Sequence, residues 1–253
     1  MVVEGDQGGC LNAREKVYPM KSMSLRGSRK GQSGFTLVEI AIVLVIIGLL
    51  LGGVLKGQEL IEQSKIKRVV NDFNNISAAF ATYQDRYKAL PGDDLKAANR
   101  WTTIIAGATP ATAGNGDNIM TTPLANVFTG TVANEGGLAW QHLRASGLVS
   151  GDMSTAVTST TPEQTPFNSS YGFGVNAAAF AMGIAPTFCA SLPPKAAEQL
   201  DRQLDDGRPG TGTIRAGVAT AVKNTAPIAA AQAATAVYVD AQATPWVTVC
   251  KIL

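Results

Sequence analysis

Residues 35–55 read FTLVEIAIVLVIIGLLLGGVL, a run of 21 residues with a single charge, Glu39. A helix of about 20 apolar residues spans the hydrocarbon core of a bilayer, so the run reads as a membrane segment. The alternative is a buried helix of a soluble protein. Arg26, Arg29 and Lys30 precede the run, which places the N-terminus in the cytoplasm by the positive-inside tendency. Lys56, Lys65, Lys67 and Arg68 follow and oppose that bias, with Glu59 and Glu62 interspersed.

A secretory signal would place small residues at a cleavage site after a shorter apolar stretch. Here the order is inverted. Gly34 precedes the run, directly after the basic, polar stretch RGSRKGQSG. A cut after Gly34 would discard residues 1–34 and retain the membrane helix. Glu39 is the second anomaly, because a carboxylate inside the bilayer costs a few kcal/mol and usually has a partner. After such a cut Glu39 lies four residues from a new amino terminus on Phe35. That amine, its own or a neighbour's, is the natural counter-charge. A charge tolerated near the cytoplasmic membrane face is the plainer account.

The stretch Gly34-Phe35-Thr36-Leu37-Val38-Glu39-Ile40 resembles the processing signal of type IV prepilins and type II secretion pseudopilins. The resemblance covers residues 26–90. It implies cleavage between Gly34 and Phe35 by a prepilin peptidase and methylation of the Phe35 amine. It also implies that Glu39 pairs with the amine of an adjacent subunit during assembly. The leader of 34 residues is longer than the family's pattern, and initiation at Met20 or Met23 would shorten it. The proline of the major pilin membrane helix is absent. Gly48/Gly52 and Gly53/Gly57 have the small-xxx-small spacing that lets helix backbones approach closely. A locally weakened helix is the competing account, since glycine costs up to about 1 kcal/mol there.

Beyond Lys56 the helical signal persists. Val69, Phe73, Ile76, Phe80, Tyr83 and Tyr87 form one apolar stripe, which needs a covering layer. Polar residues such as Lys67, Asp72, Asn74 and Arg86 occupy the other faces, and Leu90-Pro91-Gly92 is a stop signal. A continuous helix over 35–88 would be about 80 Å long. Residues 56–90 are therefore expected to be its amphipathic soluble part, and a coiled coil is the alternative.

Residues 91–253 are expected to form a globular α+β domain. A helix is expected over 137–148 and another from Pro193-Pro194 to Leu204. Strands are expected within 171–190, over Thr213–Ala219 and over Thr235–Asp240, followed by a tail from Trp246 to Leu253. The long helix packed on an antiparallel sheet is the simplest layer pair, and it resembles the pilin fold.

Of three cysteines, Cys10 falls in the leader, while Cys189 and Cys250 remain on the exported side, where disulfides form. One bridge between them is expected, with two buried free thiols as the alternative. A C-terminal disulfide is also what the pilin resemblance implies. There is no CxxC spacing for a zinc ribbon or redox site.

The only histidine, His142, is expected on a short helix, at the surface or partly buried. The sequence has neither a phosphate-binding GxxxxGK[ST] loop nor a GxSxG nucleophile elbow, so no enzymatic activity and no cofactor is expected. Asp93/Asp94 and Asp201/Asp205/Asp206 are weak calcium candidates; turn capping and solvation are the alternative. Charged residues are 16% and aromatics 6%, which argues against a nucleic-acid partner. Six of the 21 basic and three of the 19 acidic residues lie in 1–34, so processing turns a net charge of +2 into −1.

The sequence reading is thus a single-pass inner-membrane precursor with a periplasmic C-terminal domain. From there it would enter an extracellular pilus or a periplasmic pseudopilus. Its expected partners are copies of itself or other pilins, the prepilin peptidase, and the inner-membrane machinery of pilus assembly or type II secretion. A periplasmic enzyme or binding protein anchored by one helix is the reading of a different class.

Overall fold

A computed structural model of the chain describes residues 34–103, 110–122, 126–175, 184–218, 220–225, 235–239 and 244–253, with the single positions 180, 182 and 233. The chain divides into two units, Met1–Leu51 and Gly52–Leu253.

Helix α1 runs Leu37–Tyr87, 51 residues, and crosses that division. Its start is fixed locally. Thr36 and Glu39 form a reciprocal capping box: the Glu39 amide donates to Thr36 Oγ1 (3.3 Å) and the Thr36 amide donates to Glu39 Oε2 (2.8 Å). From Leu37 to Leu51 every residue is exposed, and the helix is long and apolar enough to cross a membrane. α1 ends at Tyr87, three residues before the Leu90-Pro91-Gly92 signal. Lys88 turns the chain with a φ of 55° and Gly92 with a φ of 95°. Gly92 is required twice over, because a Cβ there would lie 2.2 Å from the carbonyl oxygen of Glu135.

In the unit from Gly52, the expected stripe is the buried face of α1. Val69, Phe73, Ile76, Phe80 and Tyr83 are all buried, joined by Ile66, and Tyr87 packs at the margin. Phe73 and Phe80 are covered by a four-stranded antiparallel sheet in the order β1-β2-β4-β3, and Tyr83 by Trp101 and His142, so the covering layer is not a second copy of the helix. The strands are β1 (Tyr171–Val175), β2 (Pro186–Leu192), β3 (Ile214–Ala216) and β4 (Val247–Ile252). Phe188, Ala190 and Leu192 of β2 and Val247 and Val249 of β4 face the same core as α1. Phe73 meets Phe188 edge-on at 4.9 Å between ring centroids, and Phe80 lies 6.1 Å from Phe173. Each such fully buried side chain is worth about 1.5–3 kcal/mol relative to exposure. The alternate residues Cys189 and Cys250 face a smaller cluster with Val127, Phe180 and Met182.

Two strand expectations need correction. Residues 246–253 are no tail. β4 is a central strand paired to β2 on one side and β3 on the other. Conversely, 235–239 form no strand, and Asp240 lies outside the described residues. With both edges of β4 occupied, Val237 and Val239 are left exposed, and only Tyr238 anchors inward, through a hydroxyl donated to Asp201. Of the strand expected over Thr213–Ala219, β3 occupies Ile214–Ala216, and Ala219 lies outside the described residues.

The remaining helices are α2 (Ala97–Arg100), α3 (Glu135–Ala145), α4 (Ala156–Thr160) and α5 (Pro194–Leu204). α5 matches its sequence signals, with proline at the first position and Gly207 at φ 74° beyond its end. α3 starts two residues earlier than expected because Asn134 caps it, accepting from the Gly137 amide at 2.8 Å. It then passes so close to β1 that a Cβ on Gly136 would lie 2.4 Å from the Phe173 carbonyl oxygen.

Candidate functional site

The residues expected to carry processing and assembly cluster at the start of α1. Gly34 has open space around it, and Phe35 is 83% exposed. Thr36, which sequence reasoning passed over, donates its hydroxyl to Glu39 Oε2 at 2.7 Å as well as its amide. The T-x-x-E spacing was a legible signal for this contact. The Glu39 carboxylate is therefore turned back toward the Phe35 end of the helix rather than along it. Phe35 and Glu39 share a shallow recess with Ile40, Ile42 and Val43. Gly48 and Gly52, with Gly53 and Gly57, present bare backbone, with nothing within 4 Å of where a Cβ would stand. The site is a cleavable junction, a carboxylate held at a helix start, and an apolar helix with all its faces open. It contains no nucleophile–base pair.

The other candidates are built differently from expectation. Cys189 and Cys250 are directly opposite in the β2–β4 register and are joined by a disulfide; Cys10 lies outside the described residues. His142 is not at the surface. It is fully buried on α3, accepting from the Gly92 amide through Nδ1 (2.9 Å) and bonded through Nε2 to the Thr112 carbonyl (2.7 Å). Its ring is stacked 6.2 Å from Tyr83. Burial pushes its pKa down to about 4, only partly offset by the Thr112 contact. His142 thus ties two loop segments to α3 as a neutral ring.

Asp93 and Asp94 are likewise buried rather than solvated. Asp93 accepts from the amides of Gly116, Asp117 and Asn118 at 2.6–3.1 Å. Asp94 accepts the Tyr83 hydroxyl at 2.8 Å and is paired with Arg100. Asp93 also comes together with Asp117 and Glu135, a cluster that no sequence spacing announced. Burial raises the Glu135 pKa, against the hydrogen bonds it accepts from Thr121. The expected cluster Asp201/Asp205/Asp206 does converge. Its oxygens accept from Gly207, Tyr238, Thr213, Ile214, Arg208 and Thr211. Burial raises Asp201 to about 6. These contacts close the turn after α5 and hold Tyr238, which is sufficient work for the three acids.

Residues 29–55 match the family model of the prokaryotic N-terminal methylation motif. The chain carries a prepilin-type signal. The matched residues include Gly34, Phe35, Glu39 and the whole apolar run, and the signal is the one found in type IV pilins and pseudopilins. It supports a protein of that class, which is a class of structural subunits, and it implies processing by a prepilin peptidase and assembly into pilus-like filaments. The prepilin-type signal and the apolar start of α1 together fit an inner-membrane-anchored pilin. No curated protein and no solved structure is significantly similar to the chain.

Proposed function

We infer that the chain is a structural subunit of a type IV pilus. Its precursor is inserted in the inner membrane, cleaved after Gly34, methylated on the Phe35 amine, and assembled through its N-terminal helix. Residues 1–34 are the leader, 35–55 the span, 56–90 the soluble part of the helix and 91–253 the exported domain. The observation that carries this reading is Glu39, the one charge in the apolar run, held at the helix start four residues from the junction. A simple membrane anchor has no use for it. On leaving the bilayer, the apolar helices bundle because their surface is costly to expose to water. Glu39 then sets the axial register by accepting a neighbour's Phe35 amine, while Gly48 and Gly52 allow close helix contact.

The second reading, a pseudopilin of a type II secretion system, uses the same helix. The size of the region 91–253 favours the pilus reading, because it exceeds a minimal pseudopilin domain. Incubation of membranes with purified prepilin peptidase tests the common step: the chain is expected to shorten by its leader, and Gly34→Leu to block this. A wild-type chain that stays uncut would leave only the anchored periplasmic protein. Glu39→Ala is expected to give a processed, inserted subunit that fails to polymerise, and normal filaments from that variant would remove the register role.

A further inference from the structure

A cleft of ≈ 290 Å³ opens in the unit from Gly52 to Leu253, between the middle of α1, the exit of α3, residues 163–164 and the first residue of β1. Arg68, Asp72 and Asn75 form one wall, at spacings of four and three on a single helix face. Glu163 and Gln164 form another, and the half-buried Leu148 and Val149 supply apolar surface.

Two carboxylates of this cleft are held in place by neighbours. The Tyr171 hydroxyl donates to Asp72 Oδ2 at 2.7 Å. Arg144, whose side chain is only 4% exposed, donates from Nη2 to Glu163 Oε1 at 2.7 Å. Each carboxylate keeps its second oxygen for another donor. The side chains of Arg68, Asn75 and Gln164 make no hydrogen bond among the described residues. Charge is balanced, with Arg68 beside Asp72 on the helix and Arg144 on Glu163. An anionic ligand would meet two carboxylates and a cationic one would meet Arg68. A neutral ligand that both donates and accepts, with a C–H face for the apolar wall, meets complementary groups throughout. The volume lies just below the usual range for small-molecule sites.

We propose that this cleft binds a neutral sugar unit, its hydroxyls donating to Asp72 and Glu163 and accepting from Arg68, Asn75 and Gln164. The proposal does not depend on which filament the subunit enters. The test is titration calorimetry on the processed full chain in a zwitterionic detergent without a sugar headgroup. The probes are glucose, galactose, mannose and N-acetylglucosamine, with lysine and inorganic phosphate as charged counterparts. Saturable millimolar binding of at least one sugar is expected. Asn75→Ala and Gln164→Ala, both at exposed positions, should each weaken it about three- to tenfold, the loss of one or two modest hydrogen bonds. Their melting temperatures should be unchanged. No saturable heat with any of the four sugars would overturn the proposal. So would sugar binding indifferent to both substitutions, or tighter binding of lysine or phosphate than of every sugar.

Discussion

The buried His142 gives the sharpest quantitative test. Its ring nitrogens are both engaged, by the Gly92 amide and the Thr112 carbonyl, so a second proton would turn an acceptor into a donor facing an N–H. Its pKa is lowered from 6.5 to about 4. The unfolded chain therefore takes up a proton near pH 6.5 while the folded chain resists it. The stabilisation is fully present above pH 6.5 and is lost as pH falls toward 4. Between pH 7 and pH 4 the loss amounts to about 3 kcal/mol. Asp201, raised to about 6, works in the opposite direction. Its stabilisation is complete below its unfolded value and lost as pH rises through 6. The raised Glu135 has the same sign as Asp201. Total stability is consequently a poor readout, and the difference from His142→Gln is the right one. Glutamine can accept from Gly92 and donate to Thr112 without titrating. Denaturant unfolding of both proteins from pH 7 to 4 should show the wild type losing about 3 kcal/mol relative to the variant. Since the chain has one histidine, its imidazole proton resonance gives the folded pKa directly. A pH-independent difference, or a resonance titrating near 6.5, would refute the buried neutral-ring account.

Three further outcomes follow from the same packing. Phe73→Ala removes a fully buried ring that touches both Tyr171 and Phe188, and should cost about 3–5 kcal/mol in denaturant unfolding; a loss below about 1 kcal/mol would mean that α1 is not docked on the sheet as described. Replacing Cys189 and Cys250 together by serine opens a closure of 61 residues, expected to cost about 4 kcal/mol in the chain-entropy model. Unchanged stability under non-reducing conditions would show that the bridge contributes nothing. Titration with Ca²⁺ should leave the melting temperature unmoved if the turn contacts alone account for Asp201, Asp205 and Asp206, whereas a rise that Asp205→Asn abolishes would make the cluster a cation site.

Features that depend on local order along the chain were legible from residue order. The apolar run with Gly34 before it and Glu39 within it is such a feature, because a span and a cleavage signal need no distant partner. The buried stripe of α1 was equally legible, since a period of 3.6 residues marks one face whatever covers it. Pro194 and Gly207 framed α5 for the same reason. Features that depend on residues far apart in the chain emerge only on folding. Residues 247–252 became a central strand because β2 and β3 pair with its two edges, whereas the equally strand-like 235–239 are held by the Tyr238–Asp201 contact and join no strand. His142 and Asp93 were ordinary polar residues in sequence. They became buried clamps because backbone amides and a carbonyl from segments 23 to 50 residues away converge on them, and a buried polar group persists only where such partners reach it.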